Sequence, residues 1–329
     1  MANELFAQTR SLVEVEKTKP RKSFSVVTYN TLADTFLLTT SGYQYCPETF
    51  KKRNGLDCHR HELLIKEMLI FFVYKKWDAD YFKDTLLPTL SDLGYEGFQT
   101  IGSDGTDQGL ASFFKKAAFD IVRQKTVANN DIVKEVCKEI GQEDLLEHLT
   151  MPNLCVDDGI ATQKHASHSP SGNLIAIGNV HVLLDCQNFP AYRVLSTKTL
   201  TDDDCKALEN FDYLKLSSDA MWPDPPKGKI SSNEFKVLSN FKGFFKNYLT
   251  SVESTYKTVL GKEPDYTNCE LVEVNWTLDY LWYSYDSLQP AAVLDMMPLD
   301  KLQHLIGLPN EFYPSDHLPL KAYYNFKPV

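Results

Sequence analysis

The segment "EFYPSDHLPLKAYY" (311–324) places an acid and an imidazole, Asp316 and His317, side by side just before an alternating apolar stretch. The Pro-Ser dipeptide ahead of them is typical of a turn, and LPLKAYYNF (318–326) has the period of a β-strand. The pair is therefore either ordinary turn chemistry or one half of an active site. The choice depends on what the rest of the chain brings to it.

Composition and charge narrow the class of protein. The chain has 329 residues, of which 43% are hydrophobic, and this suits one large α/β domain or two small ones. Its formal net charge of −10 excludes a bulk basic surface for gripping phosphates. An acidic protein can still process nucleic acid when bound divalent cations supply the positive charge.

Signals for location are few. There is no apolar run of about 18 residues, so we expect no membrane association. Residues 1–22 resemble neither a secretory signal nor a transit peptide, and we interpret them as a flexible segment ahead of one domain over 23–329. The seven cysteines include no C-x-x-C pair, which favours a reducing compartment and hence the cytoplasm, with the nucleus as the alternative.

Short strands alternate with helices along the chain. The segment 81–95 begins as a helix that ends at Pro88 or Gly94, and 109–122 has the pattern of two strands around a Lys-Lys turn. This mixture predicts an α/β fold in which sheets pack on each other with helices outside, and no glycine-rich loop supports a Rossmann or P-loop fold. Further strands are predicted at 24–30, 173–185, 274–284 and 318–326.

Three of these strands carry polar groups suited to chemistry: Asn30, His181 and Asp279. A carboxylate in the apolar segment WTLDYLWY is costly to bury unless it is paired. The simplest partner for Asp279 is His317, whose ring N–H would donate to the carboxylate and fix the tautomer. His317 would then accept a proton from water, while Asp316 binds a hard cation through oxygen.

Each of these residues also has an ordinary structural explanation. Asn30 suits a turn after its strand, and a lone histidine such as His181 is more often a satisfied core residue than a catalyst. Asp316 after Pro-Ser suits a turn in which it bonds its own backbone. Asp279 has any basic side chain as an alternative partner. Taken singly, the structural explanation is favoured for each residue, and their joint occurrence in this order favours a site.

Several sequence motifs resemble those of a known family. "VVTYNTLADTF", "TLDYLWYS" and "YPSDHLPL", in this order, resemble the endonuclease/exonuclease/phosphatase superfamily. The likeness is closer to its deadenylase branch, which contains the nocturnin, angel and carbon-catabolite-repressor-type nucleases. "GYQYCP" (42–47) and "VLGKEPDYTN" (259–268) support it, and the similar words are spread over most of residues 24–326.

The resemblance implies a fold and an activity. The fold would be a four-layer α/β sandwich, with two β-sheets packed face to face and helices on both outer sides. The activity would be Mg²⁺-dependent hydrolysis of phosphodiesters, with Mn²⁺ as the alternative cation, usually of poly(A) RNA from its 3′ end. Some relatives instead cleave 2′,5′-linked oligoadenylates or remove a phosphate from a nucleotide. The expected partner is therefore a poly(A)-like RNA or a nucleotide, and the sequence identifies no protein partner.

The resemblance also implies roles for individual residues. Asn30 would help to hold the metal–phosphate assembly, and His181 would hydrogen-bond the scissile phosphate. Asp279 would orient His317, while Asp316 and His317 would serve the metal and the attacking water. In-line attack on phosphorus needs such a charge clamp and base together. The remaining candidates for substrate binding are Asp185 and Asn188.

The sequence departs from the family in two places. The family's principal metal-binding glutamate falls at Lys76 here, and an alternative alignment deletes its strand altogether. The family's Gly-Asp-Phe-Asn-Ser word is replaced by "HVLLDCQNFPAYRVLS" (181–196), in which Asp185 and Asn188 lie three residues apart. Alternate residues of a strand face one side, so these two cannot both face the site without a bulge. We therefore expect an incomplete sandwich, with a helix and core strands missing.

The lysine decides the expected activity. Replacing a carboxylate ligand with a cation changes the local charge by two units, which at close range opposes a divalent ion by several kcal/mol. The chain resembles a family of 3′-5′ exoribonucleases, and we therefore predict that its own nuclease activity is weak or absent. The alternatives are a non-catalytic RNA- or protein-binding module, in which Lys76 pairs with a phosphate, and a phosphohydrolase of nucleotides or 2′,5′-oligoadenylate.

Overall fold

The structure of the chain is a computed structural model. No helix in the described residues combines the length and the hydropathy needed to cross a membrane. The described residues are 10–15, 23–39, 43–51, 59–70, 74–101, 108–121, 134–135, 137–139, 141, 143, 175–179, 190–199, 201–203, 251–271, 274–302 and 306–327.

The first sheet has four antiparallel strands in the order β1-β11-β12-β2. β12 lies inside this sheet. Its alternate residues Leu320, Ala322 and Tyr324 are buried, as the sequence pattern predicts. Its first residue, Leu320, pairs with Thr28 at the end of β2, which places the segments before β12 and after β2 beside each other. The four strands are β1 (Leu12–Glu14), β2 (Ser23–Thr28), β11 (Leu288–Leu294) and β12 (Leu320–Phe326).

The second sheet is centred on β10 (Asp279–Ser284), all of whose residues are buried. β10 pairs on one side with β6 (Ile175–Asn179) and on the other with β7 (Val252–Ser254), both antiparallel. The predicted single strand over 274–284 is wrong in one respect, because the chain leaves one sheet at β9 (Val274–Trp276) and enters another at β10. β9 pairs with β8 (Asn268–Leu271) in a two-stranded ribbon.

Three further strands form a sheet in the order β3-β5-β4, and β3 also contacts β2 of the first sheet. The strand that one alignment deletes is therefore present as β3, and Lys76 lies at a register irregularity between Lys75 and Trp77. After β5 no second strand begins in the described residues up to 121, so the predicted strand pair over 109–122 is half right. The strands are β3 (Tyr74–Asp78), β4 (Tyr95–Ile101) and β5 (Gln108–Lys115).

Helices cover the sheets at several points. The helical run from 79 to 92 passes through Pro88 because a π-helical turn, Phe82–Leu86, precedes it, and the run ends before Gly94 at φ +83°. The helices are α1 (Asp34–Thr39), α2 (His59–Ile70), α3 (Ala79–Tyr81), α4 (Leu87–Asp92), α5 (Pro190–Thr197), α6 (Thr255–Leu260) and α7 (Leu299–Leu302).

Apolar side chains join the layers. One buried cluster joins Leu281 and Tyr283 of β10 to Leu320 and Tyr324 of β12, so that the two sheets pack face to face. A second cluster packs Leu64 of α2 and the helical run onto β5. Burying these side chains stabilises each by roughly 1.5–3 kcal/mol over an exposed position. The core therefore sits between the sheets and beneath the helices.

The N-terminal segment takes part in the sheet. Leu12 pairs with Leu294 through β1, and the Arg10 guanidinium donates to the carbonyl oxygens of Asp295 (2.7 Å) and Pro319 (2.8 Å). Residues 10–15 of the segment predicted to be flexible therefore take part in the first sheet. An isolated three-residue strand has too little pattern to be recognised in a polar segment.

Candidate active site

The centre of the site is a buried carboxylate–imidazole pair. Asp279 begins β10, and its Oδ2 lies 2.6 Å from Nδ1 of His317 in the segment before β12. Each residue is only 1% exposed. The pairing predicted from the sequence is therefore confirmed, and the acid that interrupts an apolar strand has the partner that its burial requires.

Thr267 holds the carboxylate in place. Its hydroxyl donates to Asp279 Oδ2 (2.9 Å) and accepts the backbone N–H groups of Leu278 and Asp279, each at 2.9 Å. One donor and two acceptor positions are all that a hydroxyl offers, so this side chain is saturated. The turn between β9 and β10 is thereby tied to the carboxylate that it presents.

Asn30 fixes the protonation pattern of the imidazole. The backbone N–H of Leu32 donates to Asn30 Oδ1 (3.2 Å), so the amide nitrogen faces Nε2 of His317 at 3.0 Å. An amide NH₂ only donates, and Nε2 therefore accepts, which assigns the ring proton to Nδ1 and directs it at Asp279. The three side chains form one hydrogen-bonded line from Asn30 through His317 to Asp279.

Asp316 lies beside this line and is held by its own donors. Its Oδ2 accepts from the hydroxyl of Tyr43 (2.8 Å) and from the amide of Asn268 (3.1 Å). Ser315 Oγ lies 3.3 Å from Oδ1 and donates more closely to the Asn30 carbonyl (2.6 Å). Burial, reinforced by the Asp316 charge, raises the pKa of Tyr43 well above its ordinary value, so that the phenol stays a donor.

Similar sequences are found among curated proteins, several of them named as 3′-5′-exoribonuclease subunits. The chain is 23% identical over 356 residues to carbon catabolite repressor protein 4 homolog 1 of Arabidopsis thaliana, covering 93% of this chain and 58% of that protein. It is 26% identical over 355 residues to the CCR4-Not complex 3′-5′-exoribonuclease subunit Ccr4 of Yarrowia lipolytica, covering 93% of this chain and 48% of that protein. The chain spans about half the length of the curated relatives it matches. No protein-family model matches it.

Among solved structures, ANGEL2, described as a 2′,3′-cyclic phosphatase, matches with a TM-score of 0.62 at 17% identity. The match covers 96% of this chain and 97% of ANGEL2, and it establishes the shared two-sheet α/β sandwich. The chain resembles the deadenylase branch of the endonuclease/exonuclease/phosphatase superfamily in sequence. The family resemblance and fold class predicted from the sequence are confirmed.

Deadenylases of this superfamily use a divalent cation, and the described residues of this chain offer only some of the ligands that such a cation needs. Within the described residues, no group of three or more His, Cys, Asp or Glu side chains is arranged to hold a metal ion. Asp316 Oδ1 has one long hydrogen bond and suits a cation, whereas Asn30 turns its nitrogen to His317 and its oxygen to Leu32. Hard cations need several oxygen ligands, so Asp316 would supply only part of the coordination of one.

The structure brings four of the seven predicted site residues together. Asn30, Asp279, Asp316 and His317 meet at one place, although Asn30 contacts the imidazole rather than presenting its oxygen to a metal. The other three candidates lie outside the described residues, so their predicted roles stay predictions. They are His181, Asp185 and Asn188.

Sequence analysis missed the residues that support these side chains. Tyr43 and Asn268 lie in two of the motifs that resemble the family, GYQYCP and KEPDYTN. Nothing in either motif shows that these two side chains contact Asp316. Thr267 precedes Asn268 and gave no signal, since threonine is common in any strand or turn. Pairing across more than two hundred residues is visible only in the folded chain.

Proposed function

We propose that the chain is a phosphodiesterase of the 3′-5′ exoribonuclease group that shortens poly(A)-like RNA at low rate. The observation that carries this proposal is the line Asn30–His317–Asp279, with Asp316 beside it. The resemblance to the deadenylase branch and the names of the Ccr4 relatives support RNA as the substrate class. The proposed phosphodiesterase chemistry and its proposed low rate rest on different residues.

The base is His317. Its Nδ1–H is committed to Asp279, so Nε2 is the basic nitrogen, and the buried carboxylate favours the imidazolium that forms when Nε2 takes a proton from water. In this structure Nε2 is covered by the Asn30 amide. A phosphate oxygen that accepts the Asn30 N–H would uncover Nε2, so substrate binding would itself release the base.

The low rate follows from the cation site. Mg²⁺ is the proposed cofactor, because it prefers carboxylate oxygens of the kind that Asp316 offers, with Mn²⁺ as the alternative. A cation held by this carboxylate would supply positive charge to the phosphate. The alignment puts Lys76 where the family's principal metal-binding glutamate is expected, and a lysine in that place would oppose a cation.

A cytoplasmic location belongs to the same proposal. Cys46 and Cys269 are buried and form no disulfide, which suits a reducing compartment. The expected partner is an RNA with a 3′-terminal adenosine tract. The domain itself would extend over residues 23–329, joined by the part of the N-terminal segment that enters the first sheet.

A second candidate function is favoured by Lys76. A lysine in place of the family's metal-binding glutamate would pair with a phosphate of the RNA backbone, and the chain would then retain RNA without cutting it. The third candidate, a phosphohydrolase of small nucleotides, is supported by the structural match to a protein described as a 2′,3′-cyclic phosphatase. Both differ from the first in the product that they yield.

The proposed function is tested with end-labelled oligoadenylate and Mg²⁺, Mn²⁺ or EDTA. We expect slow stepwise loss of 3′ nucleotides that stops in EDTA and is about 100-fold slower in His317→Ala, since a general base contributes that much or more. His59→Ala, at an exposed histidine of α2, is the matched control and should cut at the parental rate.

Three results would overturn the proposal. Equal cutting by the parent and His317→Ala would remove His317 from the chemistry. Retention of uncut oligoadenylate without metal would favour the binding module. Release of inorganic phosphate from a 2′,3′-cyclic or 2′-phosphorylated nucleotide, with the oligoadenylate left whole, would favour the phosphohydrolase.

A further inference from the structure

A buried arginine lies directly behind the site. Arg60, in the first turn of α2, is 1% exposed and belongs to no group discussed so far. Its Nε and Nη2 donate to Asp34 Oδ1 at 3.2 and 2.6 Å. The remaining contacts run to carbonyl oxygens: Nη1 donates to Thr31 (2.8 Å) and Pro314 (2.7 Å), and Nη2 donates to Leu32 (2.6 Å). All five donors of the guanidinium are thus used.

These contacts join the two segments that carry the site. Thr31 follows Asn30 directly, and Pro314 lies two residues before Asp316 and three before His317. One nitrogen, Nη1, bonds the carbonyl oxygens of both segments. The distance between Asn30 and His317 is therefore set in part by a group that touches neither side chain.

The same guanidinium supports a strained residue. Leu32 adopts φ +56°, a left-handed conformation that costs a residue with a side chain about 1–2 kcal/mol. Its carbonyl is held by Arg60, and its N–H donates to Asn30 Oδ1. Because that N–H orients the Asn30 amide, the strain is coupled to the hydrogen bond on His317 Nε2.

Asp34 keeps Arg60 in this position. The carboxylate accepts from Arg60 through Oδ1 and lies 2.8 Å from His61 Nε2 through Oδ2. Burial acts to raise the pKa of Asp34, but the hydrogen bond from His61 and the Arg60 charge outweigh it and lower the pKa to about 2. Asp34 is therefore ionised at neutral pH, and the buried guanidinium has a counter-charge.

We propose that Arg60 is a positioning residue for the Asn30–His317–Asp279 line, fixing its geometry through the backbone of both segments. The importance of this role for catalysis rests on the proposed function, whereas its effect on the imidazole does not. A lysine would keep the charge, but a single ammonium with three donors cannot reach four separate acceptors in a fixed plane. Charge alone is thus not enough at this position.

The test compares Arg60→Lys with the parent by ¹⁵N NMR of the histidine side chains and by oligoadenylate cleavage. We expect the parent to show His317 as one Nδ1–H tautomer, and Arg60→Lys to show a mixture of tautomers. The kcat should fall about tenfold or more, with KM within about threefold, because a misplaced base affects the chemical step. Tyr256→Phe, which removes a buried hydrogen bond to the Leu294 carbonyl, is the control for stability and should leave the tautomer unchanged.

The outcomes are separable. A folded Arg60→Lys variant with the parental His317 spectrum and kcat would overturn the proposal and leave Arg60 as a structural residue. If Arg60→Lys does not fold, Asp34→Asn replaces it and should shift the tautomer ratio in the same direction, and an unchanged ratio would count against the proposal. If the parent does not cut RNA, the proposed function fails while the NMR comparison still decides the positioning role.

Discussion

At the scale of single residues, burial of charge is what made the site predictable. An aspartate in an apolar strand requires a partner, and His317 was the partner that its sequence context suggested. The hydrogen bond between Asp279 and His317 confirms this. The contact between Asn30 and His317 was not predicted, because an asparagine that ends a strand has many possible neighbours. Its direction depends on the Leu32 N–H, which no sequence pattern reveals.

Thr267 gives a direct test of how the buried carboxylate is held. Thr267→Val preserves shape but leaves two backbone N–H groups and one carboxylate oxygen without this hydroxyl, and we expect a loss of about 1–3 kcal/mol in the free energy of unfolding. Urea denaturation measures it. Thr258→Val, at a partly buried hydroxyl of α6 that donates to the Ser254 carbonyl at the end of β7, should change stability by about 0.5 kcal/mol or less. Equal losses in the two variants would contradict the role of Thr267.

At the scale of elements, strands with clear alternation were predictable and their ends were not. The strand over 318–326 appears as β12, whereas the stretch 274–284 divides between two sheets at Thr277 and Leu278. The division is made by hydrogen bonds to Thr267, which lies outside the stretch, so its own pattern carries no sign of it. A π-helical turn likewise carried the helix through Pro88.

The β4–β5 pair depends on a glycine. Gly97 lies opposite Phe113, whose buried ring occupies the space that a Cβ on residue 97 would need. Gly97→Ala should therefore cost about 1–3 kcal/mol in unfolding free energy, through overpacking. Gly261→Ala, at the C-cap of α6 with φ +80° and open space around it, should cost only about 1 kcal/mol, through backbone strain. Thermal or urea unfolding compares them, and an equal or smaller loss for Gly97→Ala would contradict the packing role.

At the scale of the whole molecule, the face-to-face sheets were predictable from alternation and from the family resemblance, but not every strand in the described sheets. The strand near Lys76 is present, although its sequence, YKKWD, lacks an apolar pattern, because pairing with β5 stabilises it. Tertiary pairing thus outweighed local propensity. The N-terminal strand β1 was missed for the same reason.

The pH dependence of stability should reflect Glu67. Burial raises its pKa to about 7, against smaller opposing effects of the Tyr29 hydrogen bond and the Arg10 charge. A raised folded-state pKa means that stability is fully present below the ordinary value of 4.5 and is lost as the pH rises towards 7. The parent should lose unfolding free energy between pH 4.5 and about 7, and Glu67→Gln should reduce that loss by about 1–3 kcal/mol. Glu62→Gln, exposed on the same helix, is the control, and an unchanged slope in Glu67→Gln would contradict the assignment.

The measurement that tests the account most directly is a double-mutant cycle between Asp279 and His317, read as the single-turnover rate of oligoadenylate shortening. If the carboxylate acts only by orienting the imidazole, Asp279→Asn slows the parent at least tenfold and has no further effect in the His317→Ala background. Independent, multiplying effects of the two substitutions would contradict this. Parental rates in either single variant would show that cutting, where present, occurs elsewhere in the chain.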